Sequence, residues 1–285
     1  MKATRSVFVL IAVLLAGHTV AQPSLNVMTF NIRYSTLSDS QNAWPYRKEF
    51  AASEILFHQV HVLGVQEALQ SQMDDLQARL KAYKHIGVGR DDGKQKGEYS
   101  AIFYDTTRLQ QLQSSTFWLS EDPTAVGKKG WDAAFPRIVT WAKFRDESTN
   151  KVFFVFNTHF DHMGQVARRE SAKLLLQKVA AISGNSPAIV MGDFNADPAS
   201  EPIQVITDKS NPQHLTDSKL VSQTPHYGPT GTFNGFGPKE RDDQPIDHIF
   251  VKNGVDVLHH ATLSQTWGGR FSSDHFPVFA RVIIR

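Results

Sequence analysis

The chain has 285 residues, 41% of them hydrophobic, and no cysteine. That excludes disulfides and a lipid-modified cysteine, so an exported form must be stabilised by its core alone. The formal net charge is +2, but Lys2 and Arg5 stand in an N-terminal leader, and the remaining 28 basic residues balance the 28 acidic ones; the basic surplus usual in proteins that grip many nucleic-acid phosphates is missing outside the leader.

The leader follows Lys2 and Arg5 with an apolar run over residues 7–15 and then Thr19-Val20-Ala21, small residues at the two positions that signal peptidase reads. It is too short and wrongly flanked for a membrane span. Cleavage after Ala21 is expected, giving a secreted or periplasmic protein that is not a lipoprotein, with no membrane span and one domain over residues 22–285. Strands are then predicted at 25–33 and 61–67, with a helix over 45–60 between them and a short amphipathic helix over 71–81 after them. Residues 84–88, 99–104, 109–119, 137–144 and 151–158 read as further strands. The clearest helix covers 165–182, with Leu174, Leu175, Val179 and Ile182 on one face. A strand at 188–193, a helix near 200–207 and strands at 246–252, 255–264 and 277–284 complete the chain. Two strand blocks separated by helices, with no evident linker, predict an α+β domain of two facing mixed sheets with helices outside. The polar, Gly-rich loops 90–98, 121–131 and 225–243 are expected to form the substrate rim.

Six clusters of acids, amides and histidines stand at the ends of apolar runs: Met28-Thr29-Phe30-Asn31, Val65-Gln66-Glu67, Asn157-Thr158-His159, Gly192-Asp193-Phe194-Asn195, Ile246-Asp247-His248 and Ser273-Asp274-His275. Sheet ends can hold such groups in one fixed constellation. Carboxylate oxygens suit a hard divalent cation and Asp–His pairs orient an imidazole, a combination fit for metal-assisted phosphoester hydrolysis. Asp193 and Asn195 are two apart, so on an extended backbone both project to one face. There Asp193 takes a proton from a water and Asn195 holds that water or a phosphate oxygen.

In this order and at these separations, the clusters resemble the endonuclease/exonuclease/phosphatase superfamily, the deoxyribonuclease-I-like magnesium-dependent phosphoesterases, from about residue 25 to the C-terminus. Asn42-Ala43-Trp44-Pro45-Tyr46-Arg47 and Gly130-Trp131-Asp132-Ala133-Ala134-Phe135-Pro136-Arg137 resemble a bacterial branch that includes sugar-phosphate phosphatases. The resemblance implies a four-layer α/β/β/α sandwich. It implies Glu67 as the ligand of Mg2+ (or Mn2+), with Asn31, Asp247 and Asp274 assisting the metal and Asn31 also meeting phosphate. It further implies that Asp274 orients His275, that His275 and His159 contact the scissile phosphate, and that Asp247 assists the metal, water or leaving group.

Arg137 offers a bidentate fork for phosphate, although both it and Tyr104 are open to reading as structural partners at sheet ends. His162 and Arg168, with Asp161, either bind substrate or cap the helix after Gly164. Trp44, Trp131, Trp267 and Phe236 fall in predicted loops, where they either stack on a sugar or base or close the loop packing. The function expected is a secreted, monomeric phosphatase or phosphodiesterase on a small phosphorylated substrate such as a sugar phosphate. The alternatives are a nuclease or 3'-5' exonuclease on RNA or DNA, and a secreted binding module without turnover.

Overall fold

The computed structural model describes residues 23–237 and 244–285; the expected leader and residues 238–243 of the third rim loop lie outside them. The first half runs β1 (Leu25–Asn31), α1 (Lys48–Phe57), β2 (Val62–Ala68), α2 (Gln70–Arg79), β3 (Tyr83–Ile86), β4 (Tyr99–Asp105), β5 (Leu109–Trp118), β6 (Ile138–Asp146) and β7 (Val152–His159). The second runs α3 (Gln165–Ser183), β8 (Ala188–Asp193), α4 (Glu201–Thr207), β9 (Thr216–Asp217), α5 (Ser218–Val221), β10 (Asp247–Lys252), β11 (Val255–Thr262) and β12 (Val278–Ile284). They form two six-stranded mixed sheets, ordered β11-β12-β1-β2-β4-β3 and β5-β6-β7-β8-β10-β9. Among the described strands only the β1–β2 and β7–β8 pairings are parallel. The strand pair β9 with α5 was not predicted, because two residues of strand and four of helix carry too little periodicity to register.

Side chains alternate across each strand, so one set faces the opposite sheet and the other faces helices. Leu25 and Val27, Val62, Phe153 and Val155, Ile189 and Met191, and Ile249 and Val251 meet in the inter-sheet core. Met28, Phe30, Leu63 and Val65 pack against α1 and α2, while Phe154, Phe156, Val190 and Phe250 pack against α3 and α4. The result is the four-layer α/β/β/α sandwich. Each large core side chain contributes roughly 1.5–3 kcal/mol by its burial.

The inward set changes character along each strand. Val27, Thr29, Asn31 on β1 and Phe153, Val155, Asn157, His159 on β7 run from apolar to polar, as Ile189, Met191, Asp193 do on β8. At the changeover Gln66 Nε2 donates to Thr29 Oγ1 (3.0 Å) and Asn157 Oδ1 (2.6 Å), and Asn157 Nδ2 donates to Val65 O (2.9 Å) and Ala101 O (2.8 Å). This polar brace ties the sheets together just below the site. Gly64 makes room for it, since a Cβ there would lie 2.6 Å from Asn157 Oδ1.

Candidate active site

The site lies where the parallel strands end. Asn31 pairs in register with Gln66, and His159 with Asp193, which in turn faces Asp247 at the start of antiparallel β10. Neighbouring strands therefore deliver Asn31 and Glu67 from one sheet and His159, Asp193 and Asp247 from the other. Glu67 sits in a bulge of the β2–β4 pairing with φ +62°, a conformation uncommon outside glycine that swings its carboxylate out of the ladder.

Asn31 joins the two sheets: its Nδ2 donates to Glu67 Oε1 at 3.1 Å and to Asp193 Oδ2 at 2.9 Å, while its Oδ1 accepts from the Arg33 backbone N–H at 3.0 Å. The Tyr34 N–H donates to the other Glu67 oxygen. Asn195, at φ +47°, is in a turn and not extended. Its backbone N–H returns to Asp193 Oδ1 at 2.9 Å and its Nδ2 donates to Phe160 O at 3.0 Å and lies 3.1 Å from His159 Nε2. The shared face expected from residue spacing is thus replaced by an Asx-type turn, which an asparagine tolerates.

Burial and the neighbouring Asp247 push the Asp193 carboxyl up to about 7, against the pull of His275 and Asn31. Burial opposes a charged His275, yet Asp247, hydrogen-bonded at 2.8 Å, and then Asp193 and Asp274 hold it well above the ordinary histidine value. His159 is the opposite case, held neutral by burial and by Arg137 and Arg90. Burial also raises Asp274, with Glu67 adding to the effect.

Most of the expected residues converge. Glu67, His159, Asp193, Asn195, Asp274 and His275 line one cleft of about 630 Å³ together with Arg137 and His162, and Asn31 and Asp247 support it from beneath. One placement differs from expectation, and three bear on readings that the sequence left open. The partner of His275 is Asp247, 28 residues away, while Asp274 lies 3.8 Å from Arg33 and accepts from Ser273 Oγ at 3.3 Å. Tyr104 sits at the far end of the sheet, paired with Val62, its ring on Phe144 and its hydroxyl on Gln111, because antiparallel β4 runs away from the site. Arg168 Nη1 donates to Asp161 O at 2.8 Å and staples the start of α3. The Arg137 fork is already engaged, with Nε donating to Asp161 Oδ2 (3.2 Å) and Nη2 lying 3.0 Å from His162 Nδ1.

None of the four loop aromatics lines the cleft. Trp44 is buried with its Nε1 donating to Asp75, Trp131 donates its backbone N–H to Glu121 Oε1, Trp267 stacks on Phe50 and the Phe236 ring lies under the Arg47 guanidinium. The cleft aromatics are Tyr34, Phe135 and Phe233, and Arg33, Arg90 and Glu98 join them. Sequence reasoning singled out none of these six. Arg90 and Glu98 bracket the first rim loop and pair at 2.7 and 2.9 Å, so the loop was legible and its pairing was not. Arg33 reads from sequence as the last residue of the strand predicted over 25–33, whereas β1 ends at Asn31 and Arg33 lies beyond it.

The donor set fits a hard divalent cation. Glu67 and Asp274 present carboxylate oxygens to the cleft, and Asp247 Oδ1 is buried with no hydrogen-bond partner. Ligand atoms of Asp193, Asp247 and His275 lie within 4.8 Å of one another, a buried group that could hold a metal. In that trio one Asp247 oxygen and His275 Nδ1 are already bonded to each other. Asn31 fits less well as a ligand, because its oxygen is taken by Arg33 and its amide nitrogen faces the carboxylates.

Two facing sheets whose strand ends combine carboxylates, amides and imidazoles in one cleft define a hydrolytic enzyme of the phosphoesterase class. The chain belongs to the Endonuclease/Exonuclease/phosphatase family, whose model matches residues 28–275; members of this family typically depend on a divalent metal. It is 41% identical to an endonuclease/exonuclease/phosphatase from Bacteroides vulgatus, with a TM-score of 0.88 over 93% of this chain and 100% of that one. It is 38% identical to a mannosyl-6-phosphatase from Bacteroides thetaiotaomicron, with a TM-score of 0.87 over 92% and 100% of the two chains. An uncharacterised protein of Acanthamoeba polyphaga mimivirus is 29% identical over 235 residues, 79% of this chain and 83% of that protein. Among the described residues, no helix is long and apolar enough to cross a membrane.

Proposed function

We propose that the protein is a secreted, magnesium-dependent phosphatase acting on a small phosphorylated substrate such as a sugar phosphate. The observation that carries this reading is the single cleft in which Glu67, Asp193 and Asp274 face His159 and His275. The small substrate is supported by the cleft volume, within the range usual for small-molecule sites, and by the end-to-end likeness to the mannosyl-6-phosphatase. Secretion rests on the leader sequence.

Glu67 and Asp274 would hold the cation, which when bound would neutralise phosphate charge and stabilise the departing oxygen. Asn31 keeps Glu67 and Asp193 in register by donating to both. Asp193 is basic enough to take a proton from the attacking water at Oδ2, while Oδ1 is held by the Asn195 N–H. His275, an imidazolium held by Asp247, supplies positive charge where the phosphoryl oxygens gather. His159 stays neutral and, oriented by Asn195, holds a phosphate oxygen without adding charge.

Phosphate release from hexose 6-phosphates, nucleotides, RNA and DNA, assayed with magnesium across a salt series, tests the reading. Sugar phosphates are expected to turn over best, with a shallow salt dependence. Hydrolysis of the polymers with a steep loss at moderate salt, and none of the sugar phosphates, would establish a nuclease instead.

A further inference from the structure

We infer that Arg137 and His162 form a subsite for an anionic oxygen of the substrate, set beside the catalytic centre; this deepens the phosphoesterase reading above and rests on it. Arg137 is only 3% exposed and lines the cleft, yet its Nη1 is buried with no hydrogen-bond partner. A buried guanidinium N–H without an acceptor is costly. Its retention at the wall of a substrate cleft is accounted for by a ligand oxygen that completes it.

The rest of the guanidinium is fixed, so Nη1 has a defined direction. Asp161 takes Nε at 3.2 Å and His162 Nδ1 lies 3.0 Å from Nη2. Asp161 engages Arg137 through Nε alone and also accepts from the backbone N–H groups of Ala134, Phe135, Met163 and Gly164. The amides of Gly164, Ala134 and Met163 and the charge of Arg137 together overcome the opposing effect of burial and hold its carboxyl down at about 2. Its two oxygens are shared among five donors, and none of those bonds reaches Nη1.

His162 adds a second donor. An acceptor at Nδ1 toward Arg137 puts the ring proton on Nε2. Phe135 covers this corner, stacked on His162 at 6.0 Å with the Arg90 guanidinium 5.0 Å from its ring. Arg137 directly precedes β6, the neighbour of β7, whose last residue is His159. Adjacent strands stand about 4.8 Å apart, so the subsite lies one strand from the imidazole facing the scissile group. With both edges of the fork engaged, Nη1 contacts a single oxygen. That oxygen belongs either to the scissile phosphate or to a second acidic group of the same substrate.

Calorimetric binding of inorganic phosphate and of fructose 1,6-bisphosphate to the magnesium-loaded protein tests this with Arg137 and His162 intact, in R137Q and in H162L, each on a D193N background that holds turnover down. Neither titration depends on turnover, so a failure of the sugar-phosphatase reading leaves the test intact. If the oxygen is that of the scissile phosphate, R137Q weakens both ligands by about 10- to 100-fold, the range for a hydrogen bond to a charged group. If it belongs to a second acidic group, R137Q weakens the bisphosphate alone by the same factor. H162L, which leaves the Arg137–Asp161 pair in place, follows the same pattern to a smaller extent and stands in should R137Q fail to fold. Unchanged affinity for both ligands in a folded R137Q, or in H162L if R137Q does not fold, overturns the inference.

Discussion

Asp193 combines near-complete burial with a neighbouring Asp247, and against the opposing hydrogen bond from Asn31 these push its carboxyl up to about 7, poised to exchange a proton. Replacing it with Asn keeps the shape and removes the base. D193N is expected to lower kcat by roughly 10²-fold or more with an unchanged melting profile, and a near-normal rate in the folded variant would remove Asp193 from the proton transfer. The identity of the His275 partner shows how far such roles could be seen beforehand. The type and order of the residues were legible, since Asp274-His275 and Asp247-His248 are both acid–imidazole pairs in sequence. Which acid meets which ring was not, because adjacent side chains turn to different sides and the true pair, Asp247 with His275, is assembled by the fold.

Glu54 gives a residue-scale prediction away from the chemistry. It is buried on α1, accepts from Ser272 Oγ at 2.8 Å, and has its other oxygen unpartnered; burial raises its carboxyl from 4.5 to about 7. The folded state therefore retains a proton that the unfolded chain releases near 4.5. Its contribution is intact below that pH and is lost as pH rises through 7. E54Q, permanently neutral, should match wild type near pH 4.5 and exceed it at pH 8 by up to roughly 3 kcal/mol. Urea unfolding at both pH values checks this, and an equal difference at the two would refute it.

At the scale of elements, period-2 patterning placed most strands within one or two residues. The same alternation explains the site, as inward positions turn from Val27 to Thr29 to Asn31 and from Phe153 to Asn157 to His159. Strand direction was the part that patterning could not supply. Tyr104 nearly ends β4, as Glu67 nearly ends β2, but the two strands are antiparallel, so it is the start of β4, beside Glu98, that reaches the cleft. The polar brace depends on β2 giving up a side chain at Gly64. G64A would drive a Cβ into Asn157 and displace its bonds to Val65 and Ala101. A loss of about 1–3 kcal/mol in chemical denaturation is expected, together with reduced kcat, because Asn157 lies two residues before His159. Wild-type stability in this variant would show that the brace is dispensable.

At the scale of the molecule, neither sheet holds the site alone. Glu67 and Asn31 come from one, His159, Asp193 and Asp247 from the other, and Asn31 bridges them. The inter-sheet core aligns the two sets of strand ends, and the chemistry then depends on an oxygen-rich donor set able to hold a divalent ion. The most direct test is the rate of phosphate release from a hexose 6-phosphate, measured first in excess chelator and then across a magnesium titration, in wild type and E67Q. The expected result is no turnover in chelator, a saturable rise with magnesium in wild type, and for E67Q a curve displaced to higher magnesium with a rate lower by roughly 10²-fold. Full turnover by wild type in chelator, after the protein has been stripped of metal, would contradict the account.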